Sequence, residues 1–301
     1  MNNKPLVSVI MPVYESEKFL EISIKSILNQ TFKDFELLIV YDKSSDKSLS
    51  IIKKFQSLDK RIVLIEGNGK KLIGALNLGF LKSKGEFIAR MDADDISLSN
   101  RFKKQLNLMK KNKLDICGSH CFLIDKSNKI KGTYFSPITH EMCFLTLAIK
   151  VPFAHPSVMI RKKFLKENNL MYGQSNFKII EDFDLWIRMY KKGAKFGNVD
   201  DILFKYRNNK DSLSKIQLKN ILKETKELTN NFFETEKNNL KKILDLKKNY
   251  FYNFDEQIII FKMTLKFVSK TFNFGFLKYL RHINFKIIIF ILFRKFSIML
   301  K

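Results

Sequence analysis

The stretch that decides the fold reads Phe87-Ile88-Ala89-Arg90-Met91-Asp92-Ala93-Asp94-Asp95. Its apolar start, residues 87–89, has the length and composition of a buried strand, so the carboxylates should emerge where that strand ends. In an open α/β sheet, ligands bind in the crevice beyond the carboxyl ends of the strands. Clustered acids repel one another unless a cation lies among them, and hard oxygen ligands suit magnesium or manganese. The acids could instead form a turn that caps a helix predicted over residues 101–111, so two interpretations stay open at this point.

Strand and helix patterns alternate along the residues that precede this stretch. Residues 6–14 form an apolar run interrupted by a proline, which is typical of a central parallel strand buried on both faces. The patterns that follow predict a helix over 17–30, a strand over 35–40, a helix over 48–58, a strand over 62–65 and a helix over 72–83. This order is that of a Rossmann-like half. Because the polar turns at Tyr14, Asp42 and Asp92 all follow strands, we expect them to converge on one crevice, which favours a binding site over a capping turn.

The second half of the chain adds two further candidate positions. His155 lies in a Pro-rich segment, where a lone histidine is more often structural than functional. Glu181 and Asp182 open a helical pattern, where carboxylates are favoured by the helix dipole, so simple capping is one interpretation. Trp186, the only tryptophan, could belong to the core or offer an aromatic face to a ligand. Asp200-Asp201 is predicted to end a loop.

Several segments resemble family 2 glycosyltransferases of the GT-A fold, in order and spacing, over the first two thirds of the chain. They are Pro12-Val13-Tyr14, residues 29–32 with 35–37, Asp42 with Ser44 and Asp46, residues 74–79, residues 89–95 with Arg101 and Gln105, the His-Pro-Ser segment at 155–157, Glu181-Asp182 and Tyr206-Arg207. The resemblance implies an α/β fold with a Rossmann-like, mostly parallel central sheet flanked by helices. It implies a catalytic domain over 1–214, with a nucleotide-sugar half (1–98) and an acceptor half (99–214). An α-helical, basic and amphipathic extension is expected over 215–301.

The resemblance also implies a reaction and its residues. One sugar, from a UDP sugar by expectation, would move with inversion to a glycan or glycolipid acceptor in polysaccharide or lipooligosaccharide biosynthesis. Asp92 and Asp94 would hold Mn2+ or Mg2+ on the diphosphate, and Asp182, beside Glu181, would be the general base. The donor site would comprise Pro12, Val13, Tyr14, Glu15, Asp42, Lys70, Lys71, Asn77, Arg90, Asp92, Ala93 and Asp94, and the acceptor site His155 and Trp186.

The chain departs from the family pattern at a few positions. Tyr41 and Lys43 flank Asp42 where the family has a second acid and a glycine, Glu15 replaces a usual asparagine, and Asn209 replaces a usual histidine. These departures motivate a rival hypothesis, a non-catalytic membrane-surface binding protein built on a degenerate transferase domain. The retained acids argue against it. A Gln-x-x-Arg-Trp segment, typical of processive members, is lacking, so single additions are expected.

Charge predicts the partners of the C-terminal segment. The net charge is +25, and residues 257–301 contain nine Lys or Arg and no Asp or Glu. Lysines recur every fourth residue at 262, 266 and 270, and the basic, apolar pattern continues over 272–280 and 285–300. We expect an anionic membrane surface, with a buried helical layer or a homo-oligomer interface as alternatives. Nucleic acid is not expected, because no aromatic and basic platform is visible.

Cysteine usage and hydropathy predict the compartment. Three cysteines form no disulfide framework, which favours a reducing compartment. Cys117 and Cys121 should share one face of a strand and His120 the other, which disfavours a zinc site. No secretory signal and no run of ~20 apolar residues is visible. The expected location is therefore cytoplasmic, peripheral on the inner face of the cell membrane.

Overall fold

The computed structural model describes residues 4–177, 179–208, 217–247, 254–280 and 283–284. The chain divides into two compact units. The sheet unit comprises Met1–Ser136 and Phe153–Glu224, and the helical unit comprises Pro137–Pro152 and Thr225–Lys301. The helical unit thus includes a segment from the middle of the chain that no sequence pattern singled out.

The secondary structure follows the predicted order closely. The strands are β1 Val7–Val13, β2 Phe35–Tyr41, β3 Ile62–Glu66, β4 Phe87–Arg90, β5 Ile96–Ser97, β6 Ile116–Ile124, β7 Ile130–Tyr134, β8 Met159–Arg161 and β9 Phe196–Arg207. The helices are α1 Leu20–Leu28, α2 Ser48–Leu58, α3 Lys71–Lys82, α4 Arg101–Asn112, α5 His140–Leu147, α6 Lys162–Glu167, α7 Glu181–Lys191, α8 Leu218–Lys247 and α9 Phe254–Thr271. Two 3-10 helices span His155–Ser157 and Phe274–Leu280.

The strands of the described residues form one mixed sheet in the order β3-β2-β1-β4-β8-β6-β9-β5, with β7 paired to β6. The first four strands are parallel. Strand β8 then runs antiparallel to both of its neighbours. Helices flank this sheet, and the predicted α/β fold of the GT-A type is confirmed.

Strand β1 lies in the middle of the parallel half because its side chains are apolar on both faces. Val9 and Met11 belong to one core cluster, which includes Ile24 of α1 and Ile52 of α2. Ile10 belongs to a second cluster on the other face, with Ala75 and Leu76 of α3 among its members. Burial on both faces is typical of parallel strands covered by helices, and it fixes the carboxyl ends of β1, β2 and β4 at one edge.

Asp200 and Asp201 do not end a loop, contrary to the prediction. They lie inside β9, where the pairing with β6 passes from Ser119↔Val199 directly to His120↔Ile202. The two acids therefore form a bulge in a strand. Asp201 is paired with Lys104 and Asp200 accepts a contact from His120 Nε2 at 3.1 Å, so polar partners outside the ladder stabilise the bulge.

The three cysteines are buried. Cys117 and Cys121 belong to the same core cluster, as their spacing on a strand predicted. His120 instead accepts a hydrogen bond from the Ser136 N–H at 3.1 Å through Nδ1 and faces Asp200 through Nε2. Burial raises the pKa of the thiols of Cys117 and Cys121 to about 12, which keeps both protonated.

Of the three lysines at 262, 266 and 270, the middle one is partly buried. Lys266 of α9 points inward and donates to the Ala148 carbonyl at 2.7 Å and the Thr229 carbonyl at 3.1 Å. Burial lowers its pKa to about 8. Lys270 lies 3.6 Å from a Glu234 carboxylate oxygen. A lysine that satisfies carbonyls at two helices has the same sequence spacing as one that faces a membrane.

The packing and hydropathy of the helical unit bear on its predicted contact with a membrane. Phe233, Phe267 and Phe276 pack together as its aromatic core. In the part of the chain that the structure describes, no helix is long and apolar enough to cross a membrane. The predicted basic pattern over 285–300 lies outside the described residues, as does Asn209.

Candidate active site

The polar turns after β1, β2 and β4 converge, as predicted. The Asp42 N–H donates to the Val13 carbonyl at 3.0 Å, and the Met91 N–H donates to the Ile10 carbonyl at 3.0 Å. The three turns therefore leave adjacent strands at one edge of the sheet. This edge is the crevice in which open α/β sheets bind ligands.

The turn after β1 is tied to the turn after β2. The Ser16 N–H donates to Ser48 Oγ at 3.0 Å, and the Glu17 N–H donates to Asp46 Oδ2 at 2.9 Å. Tyr14 projects from this turn with 59% of its surface exposed, beside the half-buried Pro12 and the buried Val13. Glu15 has a φ of 47°, in the left-handed region that asparagine adopts more readily than glutamate.

Asp42 organises a second turn, at residues 67–69. Its Oδ1 accepts the Gly69 N–H at 3.1 Å, and a Cβ on Gly67 would lie only 2.0 Å from that oxygen. Glycine is therefore required at position 67 for the turn to close on Asp42. The exposed side chains of Lys70 and Lys71 follow immediately, at the start of α3, which brings two cations to the rim of the crevice.

Beyond β4, Asp92, Asp94 and Asp95 bring carboxylate oxygens within 4.8 Å of one another. Arg90 forms an ion pair with Asp92. Asp95 is completely buried; its Oδ1 accepts the Arg207 N–H at 2.7 Å, while its Oδ2 has no hydrogen-bond partner among the described residues. The Ser23 hydroxyl lies 2.8 Å from the Ala93 carbonyl and 2.7 Å from the Asp95 carbonyl, and so holds the backbone of this turn.

The electrostatics of this turn fit a divalent cation. Burial and the charge of Asp92 raise the pKa of Asp94 to about 6, and burial with the charges of Asp92 and Asp94 raises that of Asp95 well above its usual range. Burial is the main cause and repulsion between the carboxylates adds to it, and a hard divalent ion is the species that such an oxygen set accommodates. The buried, unpartnered Asp95 Oδ2 supports the same conclusion. Asp92 and Asp94 are the partly exposed members of the cluster.

Arg207, at the end of β9, holds the backbone of the Asp92–Asp95 turn. Its Nε donates to the Asp94 carbonyl at 2.6 Å, and its terminal nitrogens donate to the Asp125 carbonyl and to Asn128 Oδ1, both at 2.7 Å. Its guanidinium also lies 4.0 Å from the centre of the Phe19 ring. The resemblance included Tyr206-Arg207 but implied no role for Arg207; its contacts show that it fixes the backbone that presents Asp94.

A second cluster joins His155, Glu181 and Asp182, again with potential ligand atoms within 4.8 Å of one another. His155 Nδ1 lies 3.9 Å from Glu181 Oε1 and 3.9 Å from Asp182 Oδ2. Burial raises the pKa of both carboxyls, and the charge of Asp182 adds to the effect on Glu181. Asp182 keeps 20% of its side chain exposed, so it can still meet a ligand.

Arg90 lies within electrostatic reach of both clusters. It pairs directly with Asp92, and its charge lowers the pKa of Glu181 and of Asp182 against the larger effect of burial. The charge of Asp92 in turn raises the pKa of Glu181. The Arg90 N–H also donates to the Val158 carbonyl at 2.9 Å, next to the turn that carries the histidine, so the two clusters lie side by side.

Two predicted ligand residues have protein partners instead. Asn77 Nδ2 donates to the Tyr172 carbonyl and its Oδ1 accepts the Tyr172 N–H, each at 3.0 Å. Trp186 is completely buried and packs edge-on against His155, with ring centres 5.9 Å apart. In this conformation the indole has no surface to offer a sugar ring, and the core alternative describes it.

Residues 8–168 match the family model described as "Glycosyl transferase family 2". The chain belongs to this family. Among the relatives of this family 2 glycosyltransferase, an uncharacterized glycosyltransferase of Methanocaldococcus jannaschii is 38% identical over 71% of this chain and 76% of its own. The O-antigen biosynthesis glycosyltransferase WbnJ of Escherichia coli is 34% identical over 71% of this chain and 84% of its own. An Escherichia coli enzyme named UDP-Glc:alpha-D-GlcNAc-diphosphoundecaprenol beta-1,3-glucosyltransferase WfaP is 28% identical over 73% and 84%.

Solved structures show the same fold at lower identity. Staphylococcus aureus TarS in complex with UDP aligns with a TM-score of 0.57 over 90% of this glycosyltransferase and 74% of TarS, at 19% identity. The mannosyltransferase PcManGT of Pyrobaculum calidifontis, in complex with GDP-Man and Mn2+, aligns with a TM-score of 0.55 over 93% and 84%, at 12% identity. The protein is a glycosyltransferase of the GT-A fold, a class that uses nucleotide-sugar donors.

Proposed function

We propose that this glycosyltransferase is metal-dependent and inverting, with Asp182 as the general base. The observation that supports this most is the pair of carboxylate clusters around Arg90, one of oxygen ligands alone and one containing a partly exposed carboxylate beside a histidine. A single site with both is suited to hold a departing diphosphate and to accept a proton from an attacking hydroxyl.

In the donor site, the converging turns would bind the nucleotide. Asp42 and the exposed Tyr14 would contact the base and ribose, while the Pro12–Glu15 backbone would line that pocket. Lys70 and Lys71 would lie near the phosphates as point charges. UDP is the nucleotide we propose, because WfaP is named for a UDP sugar and the TarS structure contains UDP.

The metal, Mn2+ or Mg2+, would be held by Asp92 and Asp94 and would neutralise charge on the leaving diphosphate when bound. Arg90 holds Asp92, and Arg207 holds the Asp94 backbone, so this chain presents both carboxylates in advance. Ala93, between them, is 93% buried and fixes the turn in the core.

In the reaction, the Asp182 carboxylate would take the proton of an acceptor hydroxyl as that oxygen bonds to the anomeric carbon. The bond from that carbon to the diphosphate oxygen breaks with its electron pair on the diphosphate. Attack opposite the leaving group inverts the anomeric centre. The acceptor we propose is a glycan or a lipid-linked glycan, the kind of molecule named for WbnJ and WfaP.

The test of this function is Asp182→Asn, compared with Asp200→Asn. Both changes remove one carboxylate, but Asp200 is 73% exposed in the bulge of β9. We expect Asp182→Asn to lower kcat by roughly 10²- to 10⁴-fold with the donor Kd unchanged, since proton transfer is the step removed. Asp200→Asn should retain activity. Full transfer by Asp182→Asn would contradict the assignment, and donor binding without turnover by the native protein would support the non-catalytic rival.

We further propose that the helical unit binds an anionic bilayer, at the cytoplasmic face where a lipid-linked acceptor would lie. Phe272 and Phe274 expose 85% and 68% of their surfaces next to Leu277, which is 42% exposed. The surrounding segment, 257–301, carries nine Lys or Arg and no acid. Exposed aromatic side chains beside cations are typical of a membrane-surface segment.

Vesicles containing phosphatidylglycerol test this surface by co-sedimentation. The double change Phe272→Ser with Phe274→Ser should lower the partition coefficient more than 10-fold, because burying one such side chain is worth roughly 1.5–3 kcal/mol. Leu58→Ser, at a leucine 73% exposed on the sheet unit, is the matched control. Unchanged binding would contradict the proposal, and loss of a dimer in sedimentation instead would indicate a subunit interface.

A further inference from the structure

His155 is held in one orientation by aromatic neighbours. Its ring centre lies 5.4 Å from that of Tyr172 and 5.9 Å from that of Trp186. Trp186 is in turn packed against Phe153, with ring centres 5.8 Å apart. Only 11% of the histidine side chain is exposed. A ring packed in this way cannot rotate without displacing large buried side chains.

The hydrogen-bond partners of His155 indicate its tautomer. Burial and the charge of Arg90 lower its pKa well below the usual range, so the imidazole is neutral. Burial raises the pKa of Tyr172, so its phenol keeps its proton and can donate to His155 Nε2, 3.1 Å away. A neutral ring that accepts at Nε2 carries its hydrogen on Nδ1. That N–H faces the carboxylates of Glu181 and Asp182.

Tyr172 is itself fixed from two sides. Asn77 of α3 pairs with both backbone groups of Tyr172 at 3.0 Å. Arg188 of α7 donates to the Met171 carbonyl at 2.8 Å and to Gln174 Oε1 at 2.7 Å. The turn that carries the phenol is therefore anchored to a helix of the donor half and to the helix that carries Asp182.

We propose that His155 is a positioning residue that orients the Asp182 carboxylate through its Nδ1–H, and that Tyr172 and Asn77 hold the imidazole for this purpose. The proposal rests on the proposed function, in which Asp182 is the base. Nδ1 lies 3.9 Å from Asp182 Oδ2, and we expect this distance to shorten to a hydrogen bond when the acceptor binds. His155 then acts through Asp182 and does not touch the acceptor.

A neutral donor suits this task. A cation at the same place would stabilise the carboxylate form and weaken it as a base, whereas an imidazole N–H fixes its direction with a smaller loss of basicity. Asn77 likewise changes role, from a ligand of the donor to a support of the base.

Two amide variants of His155 distinguish the roles of its two ring nitrogens. In His155→Asn, the shorter side chain carries its amide nitrogen near the position of Nδ1; in His155→Gln, the amide nitrogen lies near Nε2. We expect His155→Asn to keep kcat within about 5-fold of the native value and His155→Gln to lose roughly 10- to 100-fold, the usual effect of removing an orienting partner. The donor Kd and the acceptor KM should be unchanged in both.

Tyr172→Phe removes only the phenol hydroxyl and provides a variant with minimal risk to folding. We expect kcat to fall several-fold and Tm to fall slightly, because the buried Nε2 of His155 loses its donor, with the donor Kd unchanged. The matched control is His120→Gln, at a histidine of β6 whose nitrogens contact Ser136 and Asp200, and it should retain native kcat.

Several outcomes would overturn the inference. Equal kcat for the two amide variants would remove the role of Nδ1–H, and an acceptor KM that rises at constant kcat would make His155 an acceptor ligand. A loss of Mn2+ affinity by calorimetry in either variant would make it a metal ligand. Asp182→Asn, assayed in parallel, distinguishes failure of the proposed function from failure of this inference. Activity in Asp182→Asn refutes the proposed function. If Asp182→Asn is inactive and His155→Gln has the native kcat, only this inference is refuted.

Discussion

The two acidic clusters of the site resemble each other in burial and differ in what surrounds them. The Asp92–Asp95 turn contains carboxylates only, and its backbone is held by Arg207 and Ser23. The Glu181–Asp182 pair has a neutral histidine beside it and an aromatic layer behind it. Burial raises the pKa of carboxyls in both clusters.

This difference indicates what each cluster lacks. The first groups carboxylate oxygens within 4.8 Å of one another, with Asp92 paired to Arg90, and a cation is proposed to complete it. The second has a raised affinity for a proton, because its carboxyls are buried and repel each other, and it is proposed to take that proton from a hydroxyl. The same raised pKa therefore marks a proposed metal site in one place and a proposed base in the other.

The largest effect expected from the comparison is that of Asp94→Ala. Because Asp94 is proposed as a ligand of the metal on the diphosphate, the change should weaken Mn2+-dependent donor binding and lower transfer by at least roughly 10²-fold. Asp182→Asn should lose transfer equally while binding donor normally. Calorimetry of UDP and UDP-sugar binding, with and without Mn2+, measures this difference. Identical donor affinities in the two variants would contradict the assignment of one cluster to the metal and the other to the base.

The parts of this site that sequence predicted are those encoded locally. Asp92, Asp94 and Asp182 follow short apolar runs or open a helix, so their positions follow from patterns within a few residues. The order of strands and helices depends on the same local periodicity, and the fold class was confirmed for this reason. The roles given to Asp92, Asp94 and Asp182 remain predictions, which the variants above test.

The contacts that sequence missed join distant parts of the chain. Asn77 and Tyr172 are separated by 95 positions, and Arg207 and Asp94 by 113. No local pattern distinguishes an asparagine that binds a ligand from one that binds a backbone. The inward orientation of Lys266 could not be predicted for a similar reason, because its helical spacing fits an exposed face and an inward face equally.

The protonation of the second cluster can be tested with Glu181→Gln, which puts a neutral amide in place of one carboxyl. Burial and the charge of Asp182 raise the pKa of Glu181 to about 8, so Glu181 keeps its proton while Asp182 titrates. Asp182 is active when deprotonated, and activity therefore rises with pH through its pKa; in Glu181→Gln, where a neutral amide replaces a neutral acid, this rise should stay at the same pH. The measurement is kcat as a function of pH, with the enzyme saturated in donor and metal. A rise that moves to lower pH would show that Glu181 is charged while Asp182 titrates.

The smallest effect expected is on stability, and it tests the first cluster without any substrate. Asp95→Asn retains the oxygen that accepts the Arg207 N–H and removes the charge from an oxygen without a described partner. Because the folded pKa of Asp95 is raised, the stability it allows is present at low pH and is lost as pH rises. Asp95→Asn should therefore raise Tm at pH 8 in the absence of metal, by roughly 2–4 °C per kcal/mol, and have little effect at pH 4.

Mn2+ should raise the Tm of the native protein more than that of the variant, since a cation relieves repulsion that the amide has already reduced. A variant less stable than the native protein at pH 8 without metal would mean that Arg207 and Arg90 already balance the three acids, and that this turn is not deficient in positive charge.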